Sequence, residues 1–292
     1  MISSIGAAWR ARCSAMSRFA IFSTAELRAR GETVTTIREK IATGSRFRII
    51  KWWYGNDQTP KEVVLAMRMG GRLGCASALR LHGAWVPPDV GTHVVFPSAA
   101  SGRRSAGRQR GSSVIRHWSA PSDHTGSAFA VAPLELAIAD ALTCLPPHLL
   151  IAVLDSLLHK HLISRNRLEA LISRGPRRVH HLITHLEPRS ESGIESIVSY
   201  LLAMAGITSD VQMTMVSGDR TDIEVGEWLV IEADGRETHA REVAFTADRV
   251  RVVRLMREGR IVLQFASATI MYDSDFVLDA VRDVMALHAP VA

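Results

Sequence analysis

Apolar and polar positions follow a different rhythm in each of three stretches of the chain. The first is helical and then extended. Ser23 followed three residues later by Glu26, with Gly31 beyond, predicts a short helix with a capping box and a glycine stop. Thr35 to Thr43 predicts a second helix, with Ile37 and Ile41 four apart on one face, Arg38 and Lys40 on the other, and Gly44 ending it. Arg46 to Gly55 then mixes apolar and basic residues as a strand or strand pair. The second stretch alternates. Helices are expected over Thr59–Met69, Leu73–Gly83, Pro133–Ala141, His148–Leu158 and Ser164–Ser173, with strands over Thr92–Phe96 and Val114–Trp118. The third opens after Pro188-Arg189-Ser190. It predicts a helix over Glu191–Ala205, with Ile194, Ile197, Leu201 and Leu202 as its buried stripe. A strand at Thr221–Val225, a turn at Gly226 and a buried strand at Trp228–Ile231 follow, then a helix and a closing strand at Ile261–Phe265.

Charge separates the two ends. Residues 1–118 hold 19 Lys and Arg against 6 Asp and Glu, a net of +13, and residues 119–292 hold 16 against 23, a net of −7. A basic front half points to a polyanion, and nucleic acid is the polyanion expected. Two short helices, a tight turn and a basic strand are the order of a winged helix-turn-helix. In that arrangement Thr35, Thr36, Arg38, Glu39 and Lys40 face the major groove, and Arg46, Arg48 and Lys51 on the wing reach phosphate. The loop from Ser98 to Ser113 carries Arg103, Arg104, Arg108 and Arg110 and no acid, as a phosphate-following loop or a solvated hairpin tip. The helix-turn-helix, its basic wing ending in an aromatic and Gly, and the later Ser77-Ala78 and His82-Gly83 resemble the AbiEi-type antitoxins, repressors of type IV toxin–antitoxin operons. That resemblance implies duplex DNA as a partner, a cognate toxin as a further one, and a homodimer.

The third stretch carries the candidate chemistry. A buried strand that ends in carboxylates is costly unless a cation or another partner compensates them. Glu232 and Asp234 stand at such an end, and Asp222, ten residues before Glu232, falls on the neighbouring strand of a hairpin. Oxygen ligands of this kind suit Mg²⁺ or Mn²⁺. The run Ser192-Gly193-Ile194-Glu195, Gln212, Asp222, Glu232-Ala233-Asp234-Gly235, His239 and Asp248-Arg249-Val250-Arg251 resembles the PD-(D/E)xK nuclease superfamily, in its branch similar to Vsr-like endonucleases. The superfamily's lysine is replaced by Asp234. The resemblance implies one or two divalent ions held by Asp222, Glu232 and Glu195, with His239 as general base or phosphate partner. It implies Asp234 as a further ligand or as the residue orienting His239, and Arg249 and Arg251 on the flanking phosphate. The alternative is a non-enzymatic repressor whose last domain is a vestigial nuclease.

Other features exclude classes. No apolar run reaches the roughly 20 residues of a bilayer helix, and Arg10 and Arg12 are followed by no long apolar segment of a signal peptide, so the cytoplasm is the expected compartment. Cys13, Cys75 and Cys144 show no Cys-x-x-Cys spacing, which predicts buried or inert thiols without a disulfide framework or zinc finger. His181 and His185 have a metal-ligand spacing, but no Glu lies between them in the zinc-protease manner and no Cys is nearby, so no metal site is expected there. The expected fold is α/β, α+β across the whole chain. It consists of a winged helix over 1–58, a middle α/β region over 59–188, and a restriction-endonuclease-like α/β domain over 189–292.

Overall fold

The computed structural model describes residues 19–97, 113–119, 130–234 and 242–288. Its helices and three small sheets make a mixed α+β architecture. Residues 1–18, the arginines at 103, 104, 108 and 110, and His239 lie outside the described residues. The chain divides into two compact units. One contains the described residues of Met1–His82 and Pro88–Cys144, and the other those of Gly83–Pro87 and Leu145–Ala292. The expected boundaries at 58 and 188 each fall inside a unit.

The first unit begins with β1 (Ile21–Ser23), α1 (Thr24–Ala29), α2 (Val34–Ala42), β2 (Phe47–Ile50) and β3 (Trp53–Gly55). The strands form an antiparallel sheet in the order β1-β3-β2. Both helices start on capping boxes. Ser23 Oγ accepts from the Glu26 amide at 3.1 Å while Glu26 Oε2 accepts from the Ser23 amide at 2.7 Å. Thr33 and Thr36 repeat the arrangement at the start of α2. A small core of Ala20, Phe22, Leu27 and Ile37, with Tyr54 against it, holds the helices to the sheet. Then come α3 (Lys61–Arg68), β4 (Arg72–Leu73), α4 (Cys75–Leu81), β5 (Thr92–Pro97), β6 (Val114–Ser119) and α5 (Leu134–Cys144). Their sheet runs β4-β5-β6, with β4 antiparallel and β6 parallel to β5. Gly74 must be glycine, because a Cβ there meets Val95 Cγ2 at 2.2 Å.

The second unit holds α6 (Pro147–His159), α7 (Arg165–Arg174), a 3-10 helix (Arg177–His185), α8 (Gly193–Met204), β7 (Asp210–Thr214), β8 (Arg220–Val225), β9 (Leu229–Asp234), α9 (Glu242–Arg257), β10 (Ile261–Ala266), α10 (Ser267–Tyr272) and α11 (Ser274–His288). The sheet order is β10-β9-β8-β7, antiparallel from β7 to β9 and parallel between β9 and β10. Side chains alternate across it. Ile223, Val225, Leu229 and Ile231 join the core cluster of Ile194, Ile197, Val198 and Leu202 of α8 and Val277 and Val281 of α11. Val230 packs instead with Leu255 of α9. Helices therefore cover both faces of the sheet. Among the described residues no helix is long and apolar enough to cross a membrane.

Candidate functional site

The expected DNA-contacting residues separate into two groups. Thr35, Thr36, Arg38 and Glu39 are exposed on α2, and Arg48 and Lys51 are exposed on the β2–β3 wing. Arg46 is not. It is buried, and its guanidinium is committed to Glu32, with Nη1 at 2.5 Å from Oε2 and Nη2 at 3.3 Å from Oε1. The same guanidinium lies 5.3 Å from the centre of the Phe22 ring. Lys40 Nζ also reaches Glu32, at 3.1 Å. Arg46 thus braces the turn between helix and wing. Thr36 spends its hydroxyl on the capping box. A residue the sequence reading did not single out stands at the wing tip: Trp52 is 58% exposed, with Lys51 Nζ at 5.2 Å from its ring. Its backbone is left-handed, at φ +72°, and its carbonyl accepts from the Thr24 amide at 2.9 Å. The signal for it was an aromatic residue beside a lysine between two short strands.

Asp222 and Glu232 share one sheet face, and Glu195 stands near the start of α8. Register pairs Ile223 with Ile231 and Glu224 with Val230, so the next step sets Asp222 opposite Glu232. Glu232 also stands in register with Gln264 of β10. Each acid has a partner. Both oxygens of Glu232 receive Arg251, Nη1 to Oε2 at 2.7 Å and Nη2 to Oε1 at 2.9 Å. Glu224 pairs with Arg260 at 2.5 Å. Glu195, third residue of α8, accepts on Oε2 from Gln212 Nε2 at 2.7 Å and from the Glu191 amide at 2.9 Å. Asp222 Oδ2 accepts from the Ala233 amide at 2.8 Å. Burial, followed by the charges of Glu232 and Glu195, pushes the Asp222 carboxyl up to about 7. Arg249 is exposed on α9. Asp234 closes β9, and its side chain lies outside the described residues.

Two cysteines that stand isolated in the sequence meet two histidines in a third arrangement. Cys75 at the start of α4, His93 on β5, His117 on β6 and Cys144 at the end of α5 bring their ligating atoms within 4.8 Å of one another. Among the described residues this is the one group of three or more Cys, His, Asp or Glu so arranged, and it could hold a metal ion. His93 Nδ1 lies 3.0 Å from His117 Nε2 and 3.8 Å from Cys144 Sγ. Burial pushes the His93 imidazole down to about 4 and lowers His117 as well, so both rings are neutral near pH 7. The hydrogen bond to Cys144, together with burial, raises the Cys75 thiol. His181 is exposed and His185 half-buried on the 3-10 helix. They meet edge to face, with His181 Nε2 at 3.0 Å from the Tyr200 hydroxyl.

No family model and no curated protein matches the chain. Among solved structures it is similar to the crystal structure of RV2827C protein from Mycobacterium tuberculosis. The identity is 21%, over 66% of this chain and 81% of that one, at a TM-score of 0.29. At that score the likeness bears on neither fold nor function.

Proposed function

We propose that the chain is a duplex-DNA-binding regulator that reads DNA with α2 and steadies itself with the β2–β3 wing. One observation carries the reading. The first two helices and the wing bury Phe22, Leu27, Ile37 and Arg46 and leave Thr35, Arg38 and Glu39 of α2 exposed, with Arg48 and Lys51 exposed on the wing. A helix-turn-helix enters the major groove with the start of its second helix, and wing cations contact phosphate. Lys40 and Arg46 support that surface by holding Glu32. The test is fluorescence anisotropy on the full chain with duplex pools selected from random sequence, over a salt series. Binding with a steep salt dependence, lost in Arg38→Ala and weakened in Arg48→Ala and Lys51→Ala, supports it. Binding indifferent to all three sinks it.

A second reading, a Mg²⁺- or Mn²⁺-dependent endonuclease, is favoured by Asp222. Two buried acids, Glu232 and Glu195, lie in its electrostatic reach, and burial holds it protonated almost to neutrality. The fit to a divalent ion is uneven. Asp222 could take up a cation without displacing a charged partner, whereas Glu232 would have to surrender its two bonds to Arg251. Bound there, such an ion would polarise a phosphate and acidify a water. Supercoiled plasmid, incubated with and without either metal, separates the readings. Metal-dependent nicking that Asp222→Ala abolishes favours the nuclease, and binding without cleavage favours the regulator.

A further inference from the structure

We infer that Cys75, His93, His117 and Cys144 form a closed structural zinc site that fastens the β4-β5-β6 sheet to the helices beside it. His93 is held in a single tautomer. Its Nε2 lies 2.9 Å from the Val90 carbonyl, which can only accept, so Nε2 carries the proton and Nδ1 presents a lone pair. His117 Nε2 at 3.0 Å and Cys144 Sγ at 3.8 Å both converge on that one lone pair. Cys75 Sγ lies within 4.8 Å of the ligating atoms of the other three. A single lone pair serves one good donor, whereas a cation at the centre serves all four groups at once. The Val90 contact is also the support that a metal-bound histidine requires, since it fixes the ring and its tautomer.

The dimensions agree with zinc. Bonds of about 2.0 Å to nitrogen and 2.3 Å to sulfur imply tetrahedral edges of roughly 3.3–3.8 Å. The His93–His117 and His93–Cys144 separations of 3.0 and 3.8 Å lie within a few tenths of an ångström of that range. Two thiols and two imidazoles are the donor set of a closed Cys₂His₂ site and offer nothing to Mg²⁺ or Ca²⁺. Charge balances too. Binding releases one proton from each thiol to solvent, and two thiolates with two neutral imidazoles then cancel the dication in a site where Cys75 and His93 are buried. Cys75 adopts φ +46°, a left-handed strain that a β-carbon-bearing residue accepts where its side chain must be aimed. Four protein ligands leave no position for substrate, so the role is structural. They come from two helices and two strands far apart in sequence, so the ion closes three long loops.

The experiment uses the tag-free full chain. Elemental analysis of the purified protein is expected to show about one zinc per chain. Exchange for Co²⁺ should give the strong visible bands of a tetrahedral site and the near-ultraviolet band of thiolate bonding. His117→Ala and Cys144→Ser should each lose the bound ion and the cobalt spectrum, and a strong chelator should lower the melting temperature of the wild type but not of the variants. Where a variant fails to fold, X-ray absorption at the zinc edge of the wild type replaces it, with two sulfur and two nitrogen neighbours expected. Four results overturn the inference: no metal after refolding with zinc, metal retained in the His117→Ala/Cys144→Ser double variant, an all-nitrogen and oxygen shell, or a mass two hydrogens short that shows a Cys75–Cys144 disulfide instead.

Discussion

Arg46 and Arg48 stand two residues apart beside the same wing, and alanine at each should produce opposite phenotypes. The Arg46 side chain is 10% exposed and Glu32's 15%. Removing one partner of a buried ion pair costs about 3–5 kcal/mol. Lys40 Nζ stays 3.1 Å from Glu32 and softens that loss, while the lost cover over the Phe22 ring restores some of it. We therefore expect Arg46→Ala to cost about 3 kcal/mol. Because the chain has two units, the readout is local. Amide exchange in β1, β3 and α1 should accelerate about a hundredfold, since each 1.4 kcal/mol is a factor of ten. Arg48→Ala should leave exchange unchanged and flatten the salt dependence of DNA binding by about 0.9 in log–log slope, one phosphate contact. The pH response adds a check. Burial pushes the Glu32 carboxyl up, but the Arg46 and Lys40 bonds outweigh it and hold it below its ordinary value. Its stabilisation is then present above the ordinary carboxylate range and is lost as pH falls through the depressed value. Arg46→Ala should weaken that acid limb. The reasoning is refuted if the two variants behave alike, or if Arg46→Ala leaves exchange untouched and lowers the salt slope instead.

Two further outcomes follow from buried charges in the second unit. Burial pushes Asp155 up to about 7, against bonds from the Glu187 amide and Ser196 that pull it down. Between about pH 4 and 7 the folded chain holds a proton that the unfolded chain has lost, so stability falls as pH rises across that window, by at most roughly 4 kcal/mol. Asp155→Asn should flatten the fall in a calorimetric pH series, and parallel curves for the two proteins would count against this. Arg251→Ala withdraws both bonds from buried Glu232 and should cost about 3–5 kcal/mol. Adding Glu232→Gln should recover part of the loss in melting temperature, and a double variant no better than the single one contradicts the account.

The sequence showed what local chemistry determines. Ser23 and Glu26 announce a capping box, and Ile37 and Ile41 mark a helix face, of which Ile37 is buried. The run Leu229-Val230-Ile231 reads as a strand buried on both faces, and all three are fully buried. Strand β7 escaped because Gln212 sits at φ +57° and breaks its alternation. What stayed hidden depends on distant partners. Arg46 precedes the first residue of β2, so the two-residue period that places Arg48 says nothing about it. Its burial depends on Glu32, 14 residues earlier. The Cys/His cluster draws on positions 75, 93, 117 and 144, and no short spacing can encode a group gathered from two helices and two strands.

The same asymmetry explains why the acids of the C-terminal sheet were easier to find than to interpret. Their placement follows from a two-residue period, which a sequence displays. Their compensation does not. A buried carboxylate needs a positive charge, a set of donors or a proton, and these come from elements that the period does not describe. Here all three solutions occur on this sheet and the helix α8 packed against it. Arg251 and Arg260 bring guanidinium groups to Glu232 and Glu224, donors from β7 and the start of α8 meet Glu195, and Asp222 keeps a proton almost to neutrality. Asp222 is thus the acid whose charge is settled least firmly by the fold. Regulator and nuclease differ there in one respect, whether a proton or a metal cation balances that carboxylate when DNA is bound.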